Sequence, residues 1–268
     1  MKPSVAVILS TYNRPDMLEL TLTGLLRQED RDFRIVVADD GSSEETRAFI
    51  ERYQAEFPLT HVWHEDKGFR KAKILNAAIR ACPEVDMLWF VDQDSIPAHD
   101  CLALFREAHA PGRLVPGGYV RLTQEDTARL TVENTREGFY ETLLTDERRR
   151  FLRKRHRKNL VHRLTGRKNR PRLMGLNFAV CRELVVKVNG FDETYEGWGK
   201  EDSDLRTRLR RAGGGWRCLW HRAISFHQWH PVNPTKATMD DNQRRYHDVC
   251  AGRLPWRCER GLEGGAVD

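Results

Sequence analysis

Three groups of residues in this chain have types and spacing that could do chemistry. The run Trp89-Phe90-Val91-Asp92-Gln93-Asp94 is an apolar stretch followed by two carboxylates one residue apart. At a strand's end such a pair can hold a hard divalent cation and leave its other positions for phosphate oxygens and water. Alone, the pattern is common, and a solvated loop explains it without any ligand. The segment Gly197-Trp198-Gly199-Lys200-Glu201-Asp202 leads into a helix pattern over about 201–212. Glu201 and Asp202 fall in its first turn, where the helix dipole favours the ionised carboxylate that a general base must be. Plain helix-start carboxylates are the competing reading. Trp198 can stack on a flat ligand face, and Gly197 and Gly199 let the loop approach it and move; a core tryptophan is the alternative. Late in the chain, Ser225-Phe226-His227 and His230 offer imidazoles, each of which alone reads as a surface or hydrogen-bonded histidine.

The elements that must position these groups alternate at short intervals. Val5–Leu9 is a continuous apolar run, the mark of a strand buried on both faces, and it ends at Ser10-Thr11-Tyr12-Asn13. Pro15 can open a helix to about Gln28. A second strand over 33–38 closes at Asp39-Asp40-Gly41-Ser42-Ser43, followed by a helix from Glu44 to about Ala55. A strand near Leu59–Trp63, a helix from about Arg70 to Ala81 and a strand at 87–91 complete a βαβ series. Ligands of open α/β sheets bind at the carboxyl ends of the strands, so Thr11–Arg14, Asp39–Ser42 and Asp92–Asp94 should meet in one nucleotide-binding crevice. Neither GxGxxG nor GxxxxGK[ST] occurs, which argues against a standard dinucleotide fold and a P-loop NTPase. Further on come a strand over 173–181, a short helix at 182–188, the turn Asn189-Gly190-Phe191-Asp192 and a glycine stop at 213–215.

The three strand ends together resemble those of the GT-A nucleotide-sugar glycosyltransferases, specifically family 2. Phe69-Arg70-Lys71-Ala72-Lys73-Ile74-Leu75-Asn76, Phe90 through Pro97, and Asn189-Gly190-Phe191 through Asp204 are similar to motifs of β-1,4-galactosyltransferases and bacterial chondroitin-type polymerases. The ordered matches cover about residues 4–122 and 173–235. The resemblance implies a Rossmann-like GT-A α/β fold, with a mostly parallel central sheet flanked by helices, in a single domain over 1–260. Within it, 1–122 would bind the nucleotide sugar, 123–172 would be a basic helical insertion, 173–235 would be the acceptor half and 236–260 a C-terminal extension.

The resemblance also implies roles. Asp39 would read the uracil ring, with Thr11, Tyr12 and Arg14 lining the base and phosphates. Lys71 falls where the galactosyltransferases place an arginine near the diphosphate, and Asn76, ending that motif, joins Gly197 and Trp198 as a substrate-binding position. Asp92 would face the ribose and the metal, Asp94 would ligate Mn²⁺ or Mg²⁺ directly, and His227, with Asn233-Pro234 downstream, would complete the site; His230 is the runner-up. Asp202 would be the base and Glu201 the acceptor-hydroxyl binder. Ile224 stands where the galactosyltransferases have a methionine ligand, which leaves the coordination and the choice of ion open. One base and no carboxylate assigned as nucleophile imply a single inverting displacement.

Charge adds a separate device. The formal net charge is +6, yet residues 148–172 hold 13 Lys or Arg and no carboxylate, and without them 32 basic residues face 39 acidic ones, a net of −7. Phe151, Leu152, Leu160, Val161 and Leu164 lie among these arginines, spaced so that a helix could show an apolar stripe. A solvated charged loop, contact with anionic membrane or an acidic or lipid-linked acceptor, and nucleic acid all compete as readings, and no nucleic-acid motif supports the last. The six cysteines make no CxxC pair and read as free thiols. No run approaches the roughly 20 apolar residues of a membrane span, and the start resembles no signal peptide, so a cytosolic protein is expected, with peripheral contact at the inner membrane face as one reading of the basic block. The glycine-rich tail from Gly261 is expected to fray. The competing functions are a non-catalytic nucleotide-sugar or glycan-binding module and a nucleotidyltransferase. The latter lacks its usual glycine-rich phosphate loop after the first strand, where Thr11-Tyr12-Asn13-Arg14 stands.

Overall fold

A computed structural model of the chain describes residues 2–54, 57–165, 173–231 and 239–264. The first half is the expected alternation: β1 (Val5–Thr11), α1 (Pro15–Leu26), β2 (Arg34–Asp39), α2 (Glu44–Tyr53), β3 (Leu59–Trp63), α3 (Lys71–Arg80) and β4 (Met87–Asp92). Then follow β5 (Ser95–Pro97), α4 (Cys101–Ala108), β6 (Arg113–Arg121), the short helices α5 (Gln124–Ala128), α6 (Val132–Glu137) and α7 (Phe139–Thr142), and the long α8 (Asp146–Leu164). The chain returns through β7 (Asn177–Cys181), α9 (Arg182–Lys187), α10 (Glu201–Arg211), β8 (Gly215–Trp216), β9 (Leu219–His227) and α11 (Met239–Ala251).

The strands form one sheet in the order β3-β2-β1-β4-β7-β6-β9-β5, with β8 added on β6. The pairs β3/β2, β2/β1, β1/β4, β6/β9 and β6/β8 are parallel. β7 runs antiparallel between β4 and β6, and β5 runs antiparallel to β9. The expected mostly parallel sheet is therefore present, reversed at the centre by β7.

The continuous apolar runs are explained by burial on both faces. All seven residues of β1 are buried, and alternate side chains enter different cores. Ala6, Ile8, Val36, Leu88 and Phe90 pack with α3, α9 and α10, whereas Val5, Val7, Leu9, Val37 and Trp89 pack with α1 and α4. A third cluster, containing Ile96, Leu122, Tyr140, Leu152, Ile224 and Phe226, fastens the 123–164 insertion to β5, β6 and β9.

Three expectations change here. The strand after the insertion begins only at Asn177, because the preceding turn delivers the Gly175 N–H to Asp202. The apolar residues of the basic block do not form one stripe: Leu152 is buried while Phe151, Leu160, Val161 and Leu164 are exposed. Fraying does not begin at Gly261, since Leu262 and Glu263 donate their N–H groups to the carbonyl and side-chain oxygens of Asn189. Arg167, Lys168, Arg170, Arg172, Asn233, Pro234 and residues 265–268 lie outside the described residues.

Candidate functional site

Parallel register brings the strand ends together, with Thr11 opposite Asp39 and Ser10 opposite Asp92. Their carboxylates are engaged by the protein itself. Asp39, fully buried, accepts the Ser42 N–H at 2.8 Å on one oxygen and meets His61 Nε2 at 2.9 Å on the other. Asp40 meets His64 Nε2 at 2.7 Å and accepts the Arg70 N–H at 3.0 Å. Asp92 Oδ1 accepts from Ser10 Oγ at 2.6 Å and from Lys71 Nζ at 2.5 Å. Gln93 clamps the loop after β1, accepting from the Tyr12 N–H and donating to the Tyr12 carbonyl. The Tyr12 ring stays exposed while its hydroxyl donates to Asp66 at 2.8 Å. Gly41, at φ +96°, passes so close to Asp66 that a Cβ would sit 2.6 Å from its Cα. Only glycine gives this turn both its φ and its clearance.

At the far side of β4 the antiparallel β5/β9 pairing sets Ser95 opposite His227, which brings Asp94 beside the end of β9. Asp94 Oδ2 lies 3.6 Å from His227 Nε2 and 3.2 Å from His230 Nε2. One ligand atom from each of the three residues falls within 4.8 Å of the others. Burial disfavours the Asp94 carboxylate, but the hydrogen bond from His230 and the charges of His227, His230 and Lys71 outweigh it and lower its pKa. The bond to Asp94 in turn raises the His230 pKa, against burial. A carboxylate and two imidazoles are a donor set that suits a divalent first-row ion. The sequence alternatives His227 and His230 therefore come together, while Asp92 stands outside this cluster on Ser10 and Lys71. Ile224 packs its side chain into the third core and offers no donor. Arg14 pairs with Asp16 at 2.8 Å and lies within reach of the Asp94 charge.

Across Lys71 stands a second acidic group. α10 opens with Glu201 and Asp202 after Lys200, whose φ is +81°. Asp202 Oδ2 accepts the Gly175 N–H at 2.8 Å, and a Cβ at Gly175 would lie 2.6 Å from that oxygen, so glycine is required for the approach. Asp202 Oδ1 and Glu201 Oε2 are buried without a protein partner. Burial raises both carboxyl pKa values, Glu201 to about 7 with the Asp202 charge as the next cause. The Lys71 ammonium is held charged: burial alone would lower its pKa, but Asp92, Asp202 and Glu201 drive it strongly upward. Lys71, Asp92 and Asp202 line one narrow cleft with Ser10 and Gly175. Trp198 is 56% exposed, not a core residue, and the neighbouring Gly197 N–H donates to the Phe69 carbonyl.

Asn76 is the expected site residue that does not reach the crevice. It is fully buried, donates to the Phe191 carbonyl and Glu193, and accepts the Phe191 N–H. Its amide is consumed in holding the Asn189-Gly190-Phe191 turn, so the assignment to substrate is corrected to a structural one. Sequence reasoning missed His61, His64 and Gln93. The available signal was the alternation His61-Val62-Trp63-His64 in a strand beside Asp39-Asp40. A roomier hollow of about 590 Å³ between α1, α2 and α6, lined by Asp16, Glu19, Phe49 and Arg136, contains none of this machinery.

The family model described as glycosyl transferase family 2 matches residues 6–173, and one described as the N-terminal domain of galactosyltransferase matches residues 155–230. Validoxylamine A glucosyltransferase of Streptomyces hygroscopicus subsp. jinggangensis is 29% identical over 98% of the chain and 65% of its own length. Chondroitin synthase of Pasteurella multocida is 26% identical over 85% of the chain and 25% of its own length. The chain thus spans under two thirds of either relative. Among solved structures, a mannosyltransferase from Pyrobaculum calidifontis in complex with GDP-mannose and Mn²⁺ superposes with a TM-score of 0.61 at 23% identity, covering 95% of this chain and 65% of that one.

Proposed function

The chain belongs to glycosyl transferase family 2, and from that premise we propose a metal-dependent inverting enzyme that transfers a hexose or N-acetylhexosamine from a UDP-sugar. The donor is of the galactose type and the acceptor is a hydroxyl of a glycan or lipid-linked saccharide. The setting is surface polysaccharide synthesis of the bacterial kind, in the cytoplasm or at the inner face of its membrane. The observation that supports this reading is that Lys71 lies within electrostatic reach both of an Asp94–His227–His230 cluster and of the Glu201–Asp202 pair with its two unpartnered oxygens.

On this reading the loop ends do the binding. Asp39 takes the uracil edge with a lone pair left over from Ser42 and His61, while Thr11, Tyr12 and Arg14 flank the base and phosphates. Asp94, His227 and His230 would hold Mn²⁺ or Mg²⁺, which when bound supplies Lewis-acid neutralisation of the leaving diphosphate. Asp92 and Lys71 lie between the two clusters, where the ribose and the bond to be broken would come. Trp198 presents its face to the acceptor sugar. Glu201 orients the attacking hydroxyl and Asp202 Oδ1, with no protein donor, takes its proton. Attack by that hydroxyl from the side opposite the diphosphate inverts the anomeric carbon in one displacement.

The test is nucleotide release from UDP-galactose, UDP-glucose, their N-acetyl counterparts and GDP-mannose, with and without Mn²⁺ or Mg²⁺. Metal-dependent UDP release from one donor, lost in Asp94→Ala, is the expected result. Release of pyrophosphate, or donor binding with no turnover in the presence of saccharide acceptors, would overturn it.

A further inference from the structure

Helix α8 is packed the wrong way round for a helix whose outer side faces only water. The side chains it turns toward the sheet are Arg148, Leu152, His156, Asn159 and His162, spaced to share one helical face. Only Leu152 among them is apolar. Asn159 donates to Cys218 Sγ, and the His156 ring lies 3.9 Å from that of His221 in β9. Away from the sheet Leu160 is 39% exposed, Val161 54% and Leu164 87%, while Phe151, 50% exposed, lies on one flank of the helix. Among the described residues the other large exposed apolar side chains are all aromatic: Tyr12, Trp63, Phe69, Trp198 and Trp229. The exposed aliphatic ones, Leu160, Val161 and Leu164, all sit in the last turns of this one helix.

Six cations share that outer side. Arg149, Arg150, Arg153, Lys154, Arg157 and Lys158 are exposed, and none is paired with a carboxylate among the described residues. We propose that the outer face of α8 is a docking surface for an anionic lipid bilayer, with Leu160, Val161 and Leu164 entering the headgroup boundary and the preceding cations contacting lipid phosphates. The combination selects this occupant. Cations alone would suit any polyanion, but a nucleic-acid backbone gives aliphatic tips nothing to enter, whereas a helix lying in the membrane interface uses both. A second copy of this chain would set the same cations against themselves. No helix among the described residues is long and apolar enough to cross a membrane, so the contact is peripheral. The inference does not depend on which sugar is transferred.

The experiment is co-sedimentation of the full chain with phosphatidylcholine vesicles, with and without phosphatidylglycerol, at low and high salt. Binding is expected to the anionic vesicles alone and to weaken with salt. Val161→Asp with Leu164→Asp should lower vesicle affinity roughly tenfold or more, and Arg153→Glu with Arg157→Glu likewise. All four positions are exposed, so melting temperature and nucleotide release should be unchanged, which separates failure here from failure of the glycosyl-transfer reading. No binding to anionic vesicles at low salt would overturn the proposal. So would vesicle binding that survives Val161→Asp/Leu164→Asp and is displaced by heparin, since that describes a general polyanion patch.

Discussion

The two ends of the crevice treat their carboxylates differently. At the end proposed to bind the donor, Asp39 is matched to Ser42 and His61, Asp40 to His64 and the Arg70 backbone, and Asp92 to Ser10 and Lys71. At the end proposed to bind the acceptor, Glu201 is buried and Asp202 half-buried, yet Oε2 of one and Oδ1 of the other are buried atoms that meet no protein group. A buried polar atom left unpaired costs about 1–3 kcal/mol. The Asp39–Asp40–Asp92 end is thus matched by the protein itself, whereas the Glu201–Asp202 end leaves two buried oxygens able to accept from an incoming hydrogen-bond donor. Lys71, which feels Asp92, Asp202 and Glu201 together, is the hinge between them.

The comparison breaks most sharply if Asp202 is neutralised. Asp202→Asn keeps the bond from Gly175 in reach but removes the proton acceptor, so transfer should fall about 10³-fold with donor binding nearly unchanged. Steady-state transfer and calorimetric donor titration on the same variant read the two ends separately. Equal losses in both would erase the distinction drawn here, and a wild-type rate would remove Asp202 as base.

Next in size is Lys71→Met, which leaves Asp92, Glu201 and Asp202 facing one another without a cation. Stripping one partner from a buried charged group destabilises by about 3–5 kcal/mol. Urea denaturation at neutral pH should show a loss of that order, shrinking as the pH is lowered and the carboxyl groups become protonated. A loss independent of pH would mean that Lys71 matters for its packing alone.

How much of this division was legible in the sequence follows from how local each feature is. The donor end is written in contiguous runs: an apolar strand and then its polar end, as in Val5–Thr11 or Met87–Asp92, needs no knowledge of the remaining chain. The acids Glu201 and Asp202 were equally visible. Their partners were not, because His61 reaches Asp39 across neighbouring strands and Gly175 reaches Asp202 from 27 residues away. β5 and β8, of three and two residues, carry too little pattern to read. β6 and β9 pair through a register shift between Gly117 and Gly118, which sequence periodicity cannot disclose. Asn76 looked like a ligand-binding amide because motif position says nothing about which way a side chain turns. The face of α8 was hidden for the same reason: its inward residues are polar, so the usual rule that apolar residues mark the buried side fails.

A smaller effect sharpens the donor side. His61→Ala would strip one oxygen of the fully buried Asp39 of its partner, and stability should drop by about 1–2 kcal/mol. Binding of the uridine nucleotide should weaken with it. Thermal melting with and without UDP separates the two, because a purely structural role lowers the melting temperature without reducing the shift that UDP produces.

The last effect concerns Glu201 and turns on sign. Burial and the neighbouring Asp202 charge raise the Glu201 pKa from 4.5 to about 7, so between those values the folded chain holds a proton that the unfolded chain has released. Stability tied to this carboxyl is full below pH 4.5 and is lost as pH rises through 7. Asp202 and Asp92 favour the protonated form and Lys71 opposes them, and the net shift to about 7 is worth about 3 kcal/mol above pH 7, a change of several degrees in melting temperature. Glu201→Gln fixes the neutral state. The variant should match wild type near pH 4.5, gain on it steadily toward pH 7, and hold a constant lead above that. A lead already present at pH 4.5, or none at pH 8, would mean that Glu201 finds a partner within the protein, and the contrast between a completed donor end and an unsatisfied acceptor end would then rest on Asp202 alone.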